Sequence, residues 1–234
     1  MPPRQWRLVL CCGLLVLVLS ACNAANQIFT TLTPAPTNTR VRPPTITPDP
    51  AATPPLPNRT KGNPHAKVTL VIYSDFQCRF CRDYALGSEI RVMNDYVDTN
   101  KISYTYKYFP VVDEGRIGES HWAAYAAECA NEQGKFWEYK NKLFIEWRGE
   151  NVGAFTRDNL KLFAADLRLD TAAFNTCLDT DRYATLVLDH LTEALQLRLP
   201  GTPLFMLNGR KMDIRTLDYG EFWKPIEEEL KRYQ

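Results

Sequence analysis

Two cysteines with two residues between them, Cys78-Arg79-Phe80-Cys81, directly follow an apolar run without helical period, KVTLVIYSDF at residues 67–76. That run reads as a buried strand. The stretch after the pair, RDYALGSEIRVMNDYV at 82–97, carries Tyr84, Ile90, Met93 and Val97 at helical spacing. The pair is thus set where a strand gives way to a helix. A metal site, a structural loop disulfide and a redox couple are the three chemistries open to it. A structural zinc generally needs four ligands. The chain has one CxxC, and His65, His121 and His190 are scattered, which disfavours zinc.

For redox chemistry the position matters. A cysteine at a helix N-terminus gains from unpaired N–H groups and the positive end of the helix dipole. Such settings lower a thiol pKa from about 8.5 to roughly 3.5–7.5. Arg79 and Arg82 add positive charge nearby. Cys78 is therefore assigned as nucleophile, and Cys81, one turn into the helix, as the resolving thiol.

The remaining pattern closes around this unit. KISYTYKYF at 101–109 alternates polar and apolar residues and ends at Pro110, as a strand does. A helical block runs from about 117 to 197, with Thr156 and Asp170 placed to cap two of its helices. TPLFML at 202–207 restores strand character, and Asn208-Gly209 signals a hairpin turn. KMDI at 211–214 is the expected returning strand, and residues 216–232 close the chain as a helix. The expected fold class is α/β, one sheet interrupted by a helical insertion.

The N-terminus is expected to stand outside this domain. Arg4 and Arg7 precede an apolar stretch at 8–19, LVLCCGLLVLVL. It is short for a membrane span, which needs about 20 residues, and fits a signal-peptide core. The tetrapeptide LSAC at 19–22 resembles the lipobox of bacterial lipoproteins, in which the residue matching Cys22 is lipidated and the chain is cut before it. An ordinary secretory signal or a short uncleaved anchor is the alternative. Residues 23–60 form the expected linker. From Thr30 to Thr60, nine of 31 residues are Pro and nine are Thr. Such a stretch lacks the apolar surface to offset chain entropy, and its prolines favour an extended spacer. The formal net charge of +1 gives no sign of a nucleic-acid partner.

Of seven cysteines, Cys11 and Cys12 leave with a cleaved signal and Cys22 is the lipidation candidate. Four remain in the domain, in a compartment where disulfides persist. Cys129 and Cys177, both in the helical block, are read as a structural disulfide, with two buried free thiols as the alternative.

Downstream, LPGTPLF at 199–205 places Thr202-Pro203 just before the late strand. A strand, a CxxC at a helix start, inserted helices and a late Gly-Thr-Pro, in that order, resemble the DsbA-like thiol:disulfide oxidoreductases. The likeness covers roughly residues 62–233. It includes AAECANEQGKFWEYKNKLF at 126–144 and FNTCLDT at 174–180, which resemble the BdbD-like branch. The resemblance implies a thioredoxin fold with an inserted α-helical domain at about 115–198 of a 61–234 domain. It also implies a cis Pro203 facing the active-site sulfurs, with Thr202 presenting its backbone to substrate and influencing the redox potential. It implies no bound cofactor. The implied partners are reduced or unfolded secreted proteins and a quinone-linked membrane reoxidant of DsbB or vitamin-K-epoxide-reductase-like type. The chain, lipid-anchored to the bacterial cell membrane on its extracytoplasmic side, would be a monomer. Arg-Phe inside the pair departs from the commoner Pro-containing dipeptides, so oxidase, reductase and isomerase stay open, as does a non-enzymatic peptide-binding module.

His121 is read as a surface histidine on a capped helix, with a place at the active-site cleft as the alternative. Trp122, Phe136, Trp137, Trp147 and Trp223 are read as core and groove aromatics. EEELKRYQ at the C-terminus is read as a solvated helix face.

Overall fold

The computed structural model describes residues 59–233. The expected signal peptide, Cys22 and residues 23–58 of the expected linker lie outside the described residues. β1 (Thr60–Gly62) begins inside the stretch read as linker, and Arg59 before it is buried.

β2 (Thr69–Ser74) is central. It pairs in parallel with β3 (Ser103–Tyr108) and antiparallel with β4 (Leu204–Leu207). β1 flanks β3, and β5 (Arg210–Lys211) flanks β4, giving the order β1-β3-β2-β4-β5. Period-two alternation decides which residues the sheet buries on each face. Leu70 and Ile72 lie beside Tyr104 and Tyr106 across one ladder and beside Leu207 and Phe205 across the other. All six are buried.

A parallel pair needs a crossover connection. Here it is α1 (Arg79–Ala85), then α2 (Ser88–Val92), which runs on as a π-helical turn at Met93–Val97. The single helix read over 82–97 is thus broken at Leu86-Gly87. The two connections after β3 differ in kind. Between β3 and β4 the chain makes the helical insertion: α3 (Glu119–Asn131), α4 (Phe136–Ile145), α5 (Arg157–Asp166), α6 (Thr171–Asp179) and α7 (Ala184–Gln196). Thr156 and Asp170 cap α5 and α6 through their side chains. Between β4 and β5 there is a tight turn. Asn208 and Gly209 both have positive φ, 47° and 74°, as a type I′ hairpin requires.

Cys129 on α3 and Cys177 on α6 are joined by a disulfide, their Cα atoms 5.8 Å apart. α8 (Gly220–Lys231) packs Phe222 on Tyr84 and Phe205, with ring centroids 4.9 and 4.8 Å away. The C-terminal face is not wholly solvated. Glu229 is buried and accepts from Asn208 and Arg210. Trp223, by contrast, is 40% exposed. Among the described residues no helix is long and apolar enough to cross a membrane.

Candidate active site

Cys78 is the N-cap residue of α1, and its carbonyl accepts from the Arg82 N–H. The strand ends four residues earlier, at Ser74, so the sulfur is carried to the mouth of the fold while Cys81 turns inward. Both are free thiols. Cys78 is 7% exposed and Cys81 1%.

The two thiols differ sharply in acidity. Hydrogen bonding from the Cys81 thiol pulls the Cys78 pKa down to about 6 against the opposing effect of burial. The Thr202 side chain and the backbone N–H groups of Cys81 and Phe80 add to the lowering. Burial pushes Cys81 well up, and the neighbouring Cys78 sulfur pushes it further. At neutral pH the outer sulfur is largely thiolate and the inner one a thiol.

The added arginine charge expected from the sequence is not among the main causes. Arg79 is turned to Asp83, at 3.7 Å, and Arg82 donates to the Phe144 carbonyl at 3.1 Å. The largest contributions that lower the Cys78 pKa are hydrogen bonds.

The loop before β4 closes the site from the other side. The Thr202–Pro203 peptide is cis. As a thiol, Cys78 donates to the Thr202 carbonyl at 3.3 Å. Beside the sulfur runs a groove of about 210 Å³ lined by Phe80, Thr202, Pro203, Ile214, Thr216 and Leu217. Phe80 is 61% exposed over it. The structure therefore brings Cys78, Cys81, Thr202 and Pro203 together, whereas Cys129 and Cys177 lie in the insertion.

Two polar residues in the apolar lead-in, Asp75 and Gln77, went unremarked in the sequence reading and prove structural to the site. Asp75 is buried; its N–H points at the Cys81 sulfur at 3.5 Å. Its carboxylate accepts from Gln77 N–H, Val112 N–H and the Ser120 hydroxyl. Burial nevertheless raises its pKa to about 7. The Gln77 side chain donates to Asp113 and Ser120, each at 3.0 Å, and accepts from Asn151 N–H at 2.6 Å. Trp147 donates its indole N–H to the Gln77 carbonyl at 2.6 Å. The residue before Cys78 is thereby fixed to the helical insertion. The signal available was a carboxylate and an amide at the end of an otherwise apolar strand.

His121 is not a surface residue. It is buried, and its ring Nδ1 lies 2.6 Å from Asp113. The Asp113 carboxylate also accepts from Gly118, Ser120 and His121 N–H groups at the start of α3. Burial opposes ionisation of Asp113, but these bonds outweigh it and hold the carboxyl below its ordinary value.

A thiolate and a buried thiol at a strand-to-helix junction, facing a Thr-Pro loop across a sheet with a helical insertion, are the construction of a thiol–disulfide oxidoreductase of DsbA-like architecture. The chain belongs to the thioredoxin family, whose model matches residues 56–228. Among solved structures it is similar to oxidised BdbD from Bacillus subtilis, with TM-score 0.66 and 23% identity over 74% of this chain and 92% of that one. It is also similar to Wolbachia pipientis alpha-DsbA1, with TM-score 0.64 and 21% identity over 76% and 94%. A curated relative, the probable disulfide bond formation protein D of Bacillus anthracis, is 23% identical over 73% of this chain and 77% of its own. Another, the Na(+)/H(+) antiporter NhaA 1 of Salinispora arenicola, is 32% identical over 66% of this chain. The match spans only 22% of that antiporter's length.

Proposed function

We propose that this chain is an extracytoplasmic protein thiol:disulfide oxidase that introduces disulfides into reduced secreted proteins. The observation that carries the reading is the asymmetry of the pair: an acidic, 7% exposed Cys78 beside Thr202, and a Cys81 thiol sealed beneath it. A substrate thiolate attacks the Cys78–Cys81 disulfide at Cys78. A mixed disulfide forms and Cys81 leaves. A second substrate thiolate then attacks the substrate sulfur, forming the product disulfide and releasing Cys78 as a thiolate. The substrate gives up two electrons and the pair gains them. A membrane reoxidant of DsbB or vitamin-K-epoxide-reductase-like type would restore the disulfide. The hydrogen bonds that hold the Cys78 thiolate stabilise the reduced form and so make the disulfide more oxidising.

One observation favours a reductase as the second reading. A Cys78 pKa of about 6 is closer to thioredoxin's, about 7, than to DsbA's, about 3.5. The reduction potential of the pair in glutathione buffers separates them. A value near about −120 mV supports the oxidase, and one near about −270 mV makes the chain a reductase. Anchoring through lipidated Cys22 belongs to the same proposal; a mass unchanged in Cys22→Ala would exclude it.

A further inference from the structure

Beneath Cys81 lie two hydroxyls that the exchange chemistry above does not use. Ser74 ends β2 and is 2% exposed. Tyr106, on β3, is fully buried. Among the described residues, neither Ser74 Oγ nor the Tyr106 OH meets a partner at full hydrogen-bond geometry. A buried hydroxyl without a partner is unfavourable and rare in folded proteins. Two of them beside one reactive sulfur call for a role.

Both are held in place. The Ser74 carbonyl accepts from Phe109 N–H at 2.8 Å, fixing the end of the strand. The Tyr106 ring stacks on Phe76 with centroids 5.5 Å apart, meets Phe136 edge-on and has the Lys140 ammonium 6.0 Å from its centre. The Ser74 hydroxyl is close enough to bear on both the Cys81 sulfur and the Tyr106 hydroxyl as a hydrogen-bonding group, lowering the pKa of each. The Asp75 N–H points at the same sulfur. Packing alone would be served equally well by Ala at 74 and Phe at 106.

We propose that Ser74 and Tyr106 are positioning residues that form a buried donor pocket for Cys81, receiving its negative charge as the Cys78–Cys81 bond breaks. The inference rests on the oxidoreductase reading and deepens it. When a thiolate bonds to the Cys78 sulfur, the electron pair of the breaking S–S bond passes to Cys81. Cys81 is too buried for water to solvate that charge. The Ser74 hydroxyl and Asp75 N–H donate to the departing sulfur, and Tyr106 donates to Ser74 Oγ. The incoming thiol is oxidised to a mixed disulfide, Cys81 is reduced, and the proton it later takes comes from solvent.

The test is the rate at which glutathione attacks the oxidised full-length protein. Ser74→Ala should slow it by about tenfold, the loss of one hydrogen bond to a charged group. Tyr106→Phe should slow it several-fold, and the double variant should be no slower than Ser74→Ala, because Tyr106 acts through Ser74. Ser74→Thr should restore most of the rate. In a Cys78→Ala background, the pH midpoint for Cys81 alkylation should rise in Ser74→Ala. The alkylation of Cys78 in Ser74→Ala should match the parent. Rates equal to the parent in both Ser74→Ala and Tyr106→Phe overturn the proposal. So does a loss in Ser74→Ala accompanied by altered Cys78 alkylation and no rescue by Thr, since that marks a general disturbance. A parent disulfide that glutathione does not reduce overturns the oxidoreductase reading and this inference together. A reactive parent beside indifferent variants overturns this inference alone.

Discussion

The Cys78 sulfur and the Thr202 carbonyl oxygen lie 3.3 Å apart, although 124 residues separate them in sequence. The contact places the nucleophile against the loop along which a substrate chain would run. It also brings the Thr202 side chain within reach of the thiolate.

Removing that hydroxyl should make Cys78 less acidic. Thr202→Val is expected to raise its pKa from about 6 by roughly one unit, the scale of one hydrogen bond to a charged group. The reduction potential should become more negative by about 30 mV. Ultraviolet absorbance of the thiolate against pH measures the first and glutathione equilibration the second. An unchanged titration would show that the side chain contributes nothing.

The two cysteines should fail differently. Cys78→Ala is expected to abolish peptide oxidation outright. Cys81→Ala should retain attack by the Cys78 thiolate on a disulfide-bonded peptide but stall as a mixed disulfide, because no Cys81 thiolate is left to displace the peptide. Non-reducing mass spectrometry of each variant with a disulfide-bonded peptide reads the difference. Equal activity of parent and Cys78→Ala would favour a peptide-binding module.

The Cys129–Cys177 disulfide closes a loop of 48 residues. In the chain-entropy model this contributes about 4 kcal/mol. A double replacement by Ala should lower the unfolding free energy by about that amount in denaturant titration while leaving the Cys78 titration unmoved. A loss below about 1 kcal/mol would point to an unfolded state already ordered in that region.

Asp75 should make stability depend on pH in a defined sense. Its folded pKa is raised to about 7, above an unfolded value of about 3.9. The stability it contributes is therefore fully present below about pH 4 and lost as pH rises through 7, up to about 4 kcal/mol in all. His190 acts oppositely. Burial, and after it Arg59 and Lys107, pull it down to about 3, so its contribution is present above its unfolded value and lost as pH falls. Asp75→Asn should flatten the decline between pH 4 and 8 and leave the acid limb governed by His190 intact. Parallel stability curves for variant and parent would refute the assignment.

Much of this was legible locally. The order of elements, the caps at Thr156 and Asp170 and the Asn208-Gly209 turn follow from neighbouring residues, because periodicity and capping are short-range effects. The break at Leu86-Gly87 was missed because apolar spacing runs on across it. His121 was misplaced because its burial depends on Asp113, which reaches it from outside the helix. The arginines beside the CxxC turn to Asp83 and the Phe144 carbonyl, which sequence proximity could not say.

By itself the sequence determined that a reactive cysteine pair stands at a strand-to-helix junction, that a helical block interrupts one sheet, and that a Thr-Pro loop precedes the returning strand. These are properties of local pattern. Only the tertiary structure decided which groups lower the Cys78 pKa and what surrounds its partner. Acidity is set by burial and by donors brought from distant segments. Thr202 comes from the loop before β4 and Tyr106 from β3, while Asp75 is held by Ser120 at the start of α3. No local pattern records those meetings, because they exist only once the chain has closed on itself.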